Sequence, residues 1–326
     1  MIYQIPEAFV GYFILTLIVL SFFSFSPVAH ADMGVIIPGE SFYLAETGQK
    51  AIIAHDGFEE LLILSTELFS PEPQSIMRII PFPSQPKVFP VSEDLFQTLE
   101  EIATEQDLHY LFFAKSPTPQ KEKLTITFQA TIGAHQVTTL RVENETALLS
   151  WLENFLTENE LPSQIANQEE LKTVVKDYIS RGISYFVFDL VPLERTQERV
   201  EPLGYLFPSR HFYYPVKISS LFSDTQGLEL FVFSNQGETF PLLQSIWPGW
   251  SGGGMSNTIL LEEKDLTRIH PEIASLMGKR ALMTAFRHSH FSDFSEDIDF
   301  PVPVWEINSQ SFAQPHFQLN QPRQGD

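Results

Sequence analysis

Only one stretch of this chain is apolar enough, over enough length, to leave water, and it stands at the very start. Phe9 to Phe25 reads FVGYFILTLIVLSFFSF without a single charge. No second run of that length occurs, so everything after it is expected to fold from short strands and helices facing water. Pro27 breaks the helix such a run forms, and Ala29-His30-Ala31 places small side chains at the two positions a signal peptidase accepts. The arrangement reads as an export signal over residues 1–31, cleaved after Ala31, with a periplasmic or extracellular product. Residues 1–8 carry Glu7 and no Lys or Arg, unlike an ordinary signal, and an uncleaved N-terminal membrane anchor is the alternative. Pro27 and the Ala29–Ala31 spacing favour cleavage, after which no stable membrane insertion is expected.

The chain has no cysteine. That excludes disulfides, thiolate metal sites, a cysteine nucleophile and a lipid anchor attached through cysteine. A hydrophobic core alone must hold the fold, and 326 residues suffice to build one. Lys and Arg number 20 against 41 Asp and Glu, giving a formal net charge of −21 with no basic cluster. Phosphate backbones and anionic lipid repel such a surface, so neither nucleic acid nor a membrane surface is an expected partner.

Periodicity supplies the elements. Residues 49–67 read as a hairpin, two apolar runs around Asp56-Gly57, a dipeptide suited to a turn with positive φ at both positions. A strand follows at 76–82 and a helix at 92–106, capped by Ser92, with Leu95, Leu99 and Ile102 inward. Alternation marks strands at 124–130 and 136–142, and Leu148, Leu152 and Phe155 mark a helix at 145–158. Asn167 and Glu170 form a capping box for the next helix, whose stripe is Leu171, Val174, Val175, Tyr178 and Ile179. Arg181 and Gly182 suit its end. ISYFVFDLV at 183–191 reads as a central strand covered on both faces. Further strands are expected near 204–207, 211–218, 228–234, 281–288 and 298–306, with a short helix at 271–277 closed by Gly278. Residues 247–257 form an irregular loop, and 307–326 a disordered tail rich in Gln, Asn and Pro. The expected fold class is α+β, mostly antiparallel sheet with helices grouped mid-chain, as one domain or two closely packed ones.

QKAIIAHDGFEELLILST and ALLSWLENFL…LKTVVKDYISRGISYFVFDL, with YYPVKISSL and HPEIASLMGKRALMTAF followed by SEDIDF, resemble an exported bacterial family. That family is domain of unknown function 2330 (DUF2330), and the resemblance spans roughly residues 34–306. It implies export and a shared fold, and brings no activity, cofactor or catalytic residue. Many members carry cysteines near the mature N-terminus, and this chain has none.

Candidate chemistry is sparse. Gly249-Trp250-Ser251-Gly252-Gly253 matches the nucleophile elbow G-x-S-x-G, with Ser251 as nucleophile and Asp293 and His316 as partners. Pro248 ahead of it and the glycines behind it make a poor strand and a poor helix start, so a flexible loop is the expected reading. His288 and His290 share one face of a strand and so reach one metal, with oxygen from Asp293, Glu296 or Asp297. No third histidine is near, and exposed strand-end histidines are the plainer reading. His55-Asp56 suggests an acid–base pair, but the turn already accounts for Asp56. Glu59, Glu60 and Glu67 read as a solvated strand face, and Glu100 and Glu101 as an exposed helix side. Phe212, Tyr213 and Tyr214 form either a sugar-stacking platform or, the preferred reading, core. The sequence thus favours a non-enzymatic binding or envelope-associated module without cofactor, for an envelope protein or glycan. The alternative is an extracytoplasmic hydrolase using Ser251 or a metal at His288/His290.

Overall fold

Apolar residues on alternating faces of the strands build two sheets that share one core and carry helices on their outer sides. The computed structural model describes residues 34–36, 38–39, 44–108, 110, 124–165, 168–194, 197–221, 227–235, 258–288 and 296–301. In chain order the elements are β1 (Gly34–Ile36), β2 (Ala45–His55), β3 (Glu59–Phe69), β4 (Gln74–Phe82), β5 (Lys87–Pro90), α1 (Leu95–Glu105), β6 (Leu124–Ile132) and β7 (His135–Val142). Then come α2 (Glu145–Glu158), α3 (Gln168–Ile179), β8 (Tyr185–Leu193), β9 (Gln197–Pro208), β10 (His211–Tyr214), a 3-10 turn (Lys217–Leu221) and β11 (Leu228–Ser234). The last are β12 (Ile259–Glu262), α4 (Glu263–Ile269), α5 (Pro271–Met277), β13 (Arg280–His288) and β14 (Ile298–Pro301). The first sheet runs β1-β4-β8-β7-β6, the second β12-β13-β11-β2-β3-β9-β5, and β10 pairs with β14 in a ribbon. Among the described residues every strand pairing is antiparallel except that of β2 with β11. The class is α+β with mostly antiparallel sheet. Helices α2 and α3 are the mid-chain pair, and α1, α4 and α5 gather in space from distant parts of the sequence.

Strand parity assigns the layers. On β8, Phe186 and Phe188 meet the helices, Phe186 edge-on to Tyr178 and Phe188 4.9 Å from Trp151. The opposite parity of the same sheet faces the second sheet, where Phe82 of β4 lies 5.1 Å from both Tyr205 and Phe207. On the second sheet Ala51, Ile53, Leu62 and Leu64 join that shared core. Their neighbours Ile52, Ala54, Leu61 and Ile63 turn to the other side and pack on α1, α4 and α5. The order is helices, sheet, sheet, helices. ISYFVFDLV is indeed a central strand, paired on both sides.

The local signals hold in most places. Gly182 ends α3 at φ 80°, and Gly278 closes α5 at φ 73° after Pro271 at its first position. Two expectations are corrected. The hairpin loop is three residues, Asp56 to Phe58, and only Gly57 has positive φ (101°). The Asp56 carboxylate accepts the N–H groups of Phe58 and Glu59 at 2.8 Å each, a side-chain turn that leaves Asp56 at ordinary φ. Helix α1 begins at Leu95 rather than Ser92, with Asp94 in the cap position. Asn167 lies outside the described residues.

Candidate functional site

Charged residues inside apolar strands come first, because their burial demands partners. Arg78 and Asp189 stand in register on β4 and β8, both buried in the shared core. Arg78 Nε donates to Asp189 Oδ2 at 2.9 Å, and Nη2 donates to the same oxygen. His135 of β7 directs Nδ1 to that carboxylate at 2.9 Å. Burial alone pushes Asp189 upward, but Arg78 and then His135 outweigh it and hold the carboxyl below its usual range. A second network surrounds buried Asp297, which accepts Tyr178 Oη at 2.7 Å, Lys217 N–H at 2.9 Å and Arg181 Nη1. Asp177 ties to Arg181 and Lys217, each at 2.9 Å, and Glu296 to Lys217 at 3.4 Å.

A third cluster lies where the β10–β14 ribbon covers the β2–β3 hairpin. Glu60, expected on a solvated face, is fully buried. Its Oε2 accepts Tyr213 N–H at 2.7 Å, while burial drives its pKa well above the usual carboxylate value. The reason for the misreading is parity: Glu59 is exposed, so its neighbour Glu60 must point inward, beneath the ribbon. His55, its cross-strand partner, is also buried, and burial lowers its pKa to about 4. Its Nδ1 accepts Gly57 N–H at 2.8 Å, which makes it a neutral ring packed 5.0 Å from Phe212. Phe212, Tyr213 and Tyr214 are buried core residues and not a stacking platform.

These networks absorb several expected site residues. Asp297 and Glu296 are ion-paired to α3 and the 3-10 turn, so they are not free oxygen ligands for a histidine pair. His288 ends β13, its backbone opposite Leu228. Ser251, His290, Asp293 and His316 lie outside the described residues, as do the proposed cleavage site at Ala31 and the tail. Among the described residues, no group of three His, Cys, Asp or Glu side chains is placed to hold a metal.

A concave feature that gathers polar groups toward solvent lies on the outer face of the second sheet. Lys50, Glu229 and Arg287 stand in one cross-strand row on β2, β11 and β13. Lys50 lies 3.4 Å from Glu229 Oε2, Arg287 Nη2 donates to Glu229 Oε1, and Lys50 also pairs with Glu100 of α1. The Arg287 guanidinium lies over the Tyr110 ring at 4.3 Å. Burial, and next the Glu229 charge, push the Tyr110 phenol up to about 12. Thr104, Asp107 and Leu108 complete the wall of a cleft of about 630 Å3. Glu100 thus belongs to this cleft, while Glu101 pairs with Arg268 of α4 at 2.8 Å. No single-strand pattern shows the row: Lys50 lies mid-strand in β2, Glu229 and Arg287 near the ends of β11 and β13, and only the register aligns them.

Comparison with known sequences places the chain in a family. The profile of a bacterial family described as "uncharacterized protein conserved in bacteria (DUF2330)" matches residues 27–239. The chain belongs to that family. No curated protein matches this DUF2330 chain. Among solved structures, a mutated baculovirus P35 after caspase cleavage is 9% identical and covers 78% of this chain and 99% of its own, at a TM-score of 0.37. A candidate nutrient binding protein of Legionella pneumophila is 9% identical, covering 82% of this chain and 71% of its own at 0.36. Likenesses at that level carry no argument about fold or function. The DUF2330 match ends before β12, yet β13 pairs with β11 inside it, and Asp297 beyond it is bound to Tyr178 and Arg181. Among the described residues no helix is long and apolar enough to cross a membrane.

Proposed function

We propose that this DUF2330 member is an exported, non-catalytic binding protein that takes a glycan in the cleft over the Lys50–Glu229–Arg287 row. The observation that carries the reading is the cleft itself. Its volume falls within the range of about 300–1,000 Å3 usual for small-molecule sites, and it joins an aromatic ring to planar carboxylate and guanidinium groups. Arg287 is half exposed beside Tyr110, and Glu100 opposes it from α1. A guanidinium edge and carboxylate oxygens are a donor and acceptor set suited to neighbouring hydroxyls, and the Tyr110 ring beneath Arg287 holds that guanidinium in place. The three buried networks support the non-catalytic part, since Asp189, His135, Glu60 and His55 are all enclosed away from solvent.

The test is isothermal titration of the chain beginning at Asp32 with a panel of envelope saccharides. At least one is expected to bind, with Arg287→Ala weakening it by about tenfold, the loss of one charge-assisted contact. Absence of binding across the panel, or binding that Arg287→Ala and Tyr110→Ala leave unchanged, overturns the assignment.

A further inference from the structure

The cleft over the Lys50–Glu229–Arg287 row has walls of unlike charge. Its sheet wall carries two cations, Lys50 and Arg287, around the single carboxylate of Glu229. Its other wall is the C-terminal half of α1 and the turn after it, where Glu100 and Asp107 are the charged residues lining the cleft. Lys50 crosses between the walls to pair with Glu100, which fastens one end. Arg287 and Asp107 stand on opposite walls and both reach solvent, Arg287 with half of its side chain exposed. The Arg287 guanidinium is held by the Tyr110 ring at 4.3 Å and by Glu229. Among the described residues Glu229 is its hydrogen-bond partner, through Nη2, so Nε and Nη1 remain for a ligand. A guanidinium fork fixed before a ligand arrives is suited to a carboxylate.

We propose that the ligand of this cleft is a zwitterionic sugar, one that bears both a carboxylate and an ammonium group. The proposal rests on the glycan reading above and names its chemical class. Charge excludes the simpler classes. A neutral sugar would take water from the charged side chains of both walls and return only hydroxyl contacts. A sugar acid would suit Arg287, but it must approach a chain of net charge −21 and then face Glu100 and Asp107. An amino sugar would suit those two acids, but its lone positive charge is set against Lys50 and Arg287. A sugar with both groups puts its carboxylate on Arg287 and its ammonium on the α1 wall. Each charge then meets its opposite, and the ligand, neutral as a whole, meets no long-range repulsion.

Isothermal titration of the full chain at about pH 6, where amine and carboxylate are both ionised, tests the proposal. The probes are muramic acid, which carries both groups, and glucosamine, glucuronic acid and N-acetylglucosamine, which lack one or both. Muramic acid is expected to bind about tenfold more tightly than glucosamine or glucuronic acid, the worth of one charge-assisted contact. In Arg287→Ala its affinity should fall to that of glucosamine, because the carboxylate has lost its partner. In Glu100→Gln/Asp107→Asn it should fall to that of glucuronic acid, because the ammonium has lost its own. Asparagine tolerates the left-handed φ of 54° at position 107, so circular dichroism should show an unchanged fold. Equal affinity for muramic acid and any of the other probes, or an advantage that survives both variants, overturns the zwitterion and leaves the glycan reading standing. If muramic acid fails to bind while another envelope saccharide binds, the zwitterion again falls alone. If no saccharide binds, the glycan reading falls with it.

Discussion

Glu60 and His55 face each other across β2 and β3 under the ribbon, and the fold keeps both neutral by opposite routes. Glu60 holds a proton that the unfolded chain releases above the ordinary carboxylate pKa, so its contribution is present at low pH and is lost as pH rises through its raised folded value. His55 refuses a proton that the unfolded chain takes up below 6.5, so its contribution is present at neutral pH and is lost as pH falls toward about 4. The His55 shift corresponds to roughly 3 kcal/mol when fully expressed. Urea midpoints measured from acid to alkaline pH should therefore fall away on both sides. Glu60→Gln keeps an acceptor for Tyr213 N–H and removes the titration. It is expected to hold its midpoint on the alkaline side where the parent chain loses stability, and to leave the acid limb in place. Parallel curves would refute a buried proton on Glu60. Nothing in FEELLIL announces this pair except that two adjacent glutamates cannot share one strand face, and only the covering ribbon tells which of them is enclosed.

Individual elements depend on single positions where local chemistry is unforgiving. A Cβ on Gly204 of β9 would lie 2.5 Å from the Phe89 ring, which covers that strand from β5. Gly204→Ala must displace Phe89 and is expected to cost about 1–3 kcal/mol, the usual penalty of overpacking. Faster hydrogen exchange should be confined at first to the β5–β9 pairing, and unchanged β5 protection would show that the ring yields freely. The hairpin, the stop of α3 at Arg181-Gly182, the α5 stop at Gly278 and the central strand β8 were legible, because each is written within a dozen residues. Strand β5, strand β12 and helix α4 were not. KVFP and ILLE are too short to show a period, and α4 is opened by a Glu262–Asp265 capping box with acidic residues where serine or asparagine is the familiar sign. The Arg78–Asp189 pair left a clue, one charge in each of two buried runs, IMRIIPF and ISYFVFDLV. The cleft left none, since its row joins strands far apart in the chain.

The molecule as a whole is tied together by its last described residues. Strand β13 fills the second sheet between β11 and β12, β14 holds the ribbon over Glu60, and Asp297 locks α3 to the 3-10 turn. A chain ending at residue 239, the limit of the family match, is expected to lose cooperative thermal unfolding that the full chain shows, as followed by calorimetry. A sharp transition in the shortened chain would mean that β12 to β14 are ornamental. The one parallel seam among the described residues, β2 against β11, has a kinetic side. An antiparallel neighbour can be reached through a tight turn, but β11 meets β2 only after β4, β6, β7 and β8 of the first sheet have been threaded between them. Such closure has a high entropic cost before any contact repays it. The β2–β3 hairpin therefore waits with both sides open, β3 for β9 and β2 for β11, until those distant strands have been synthesised.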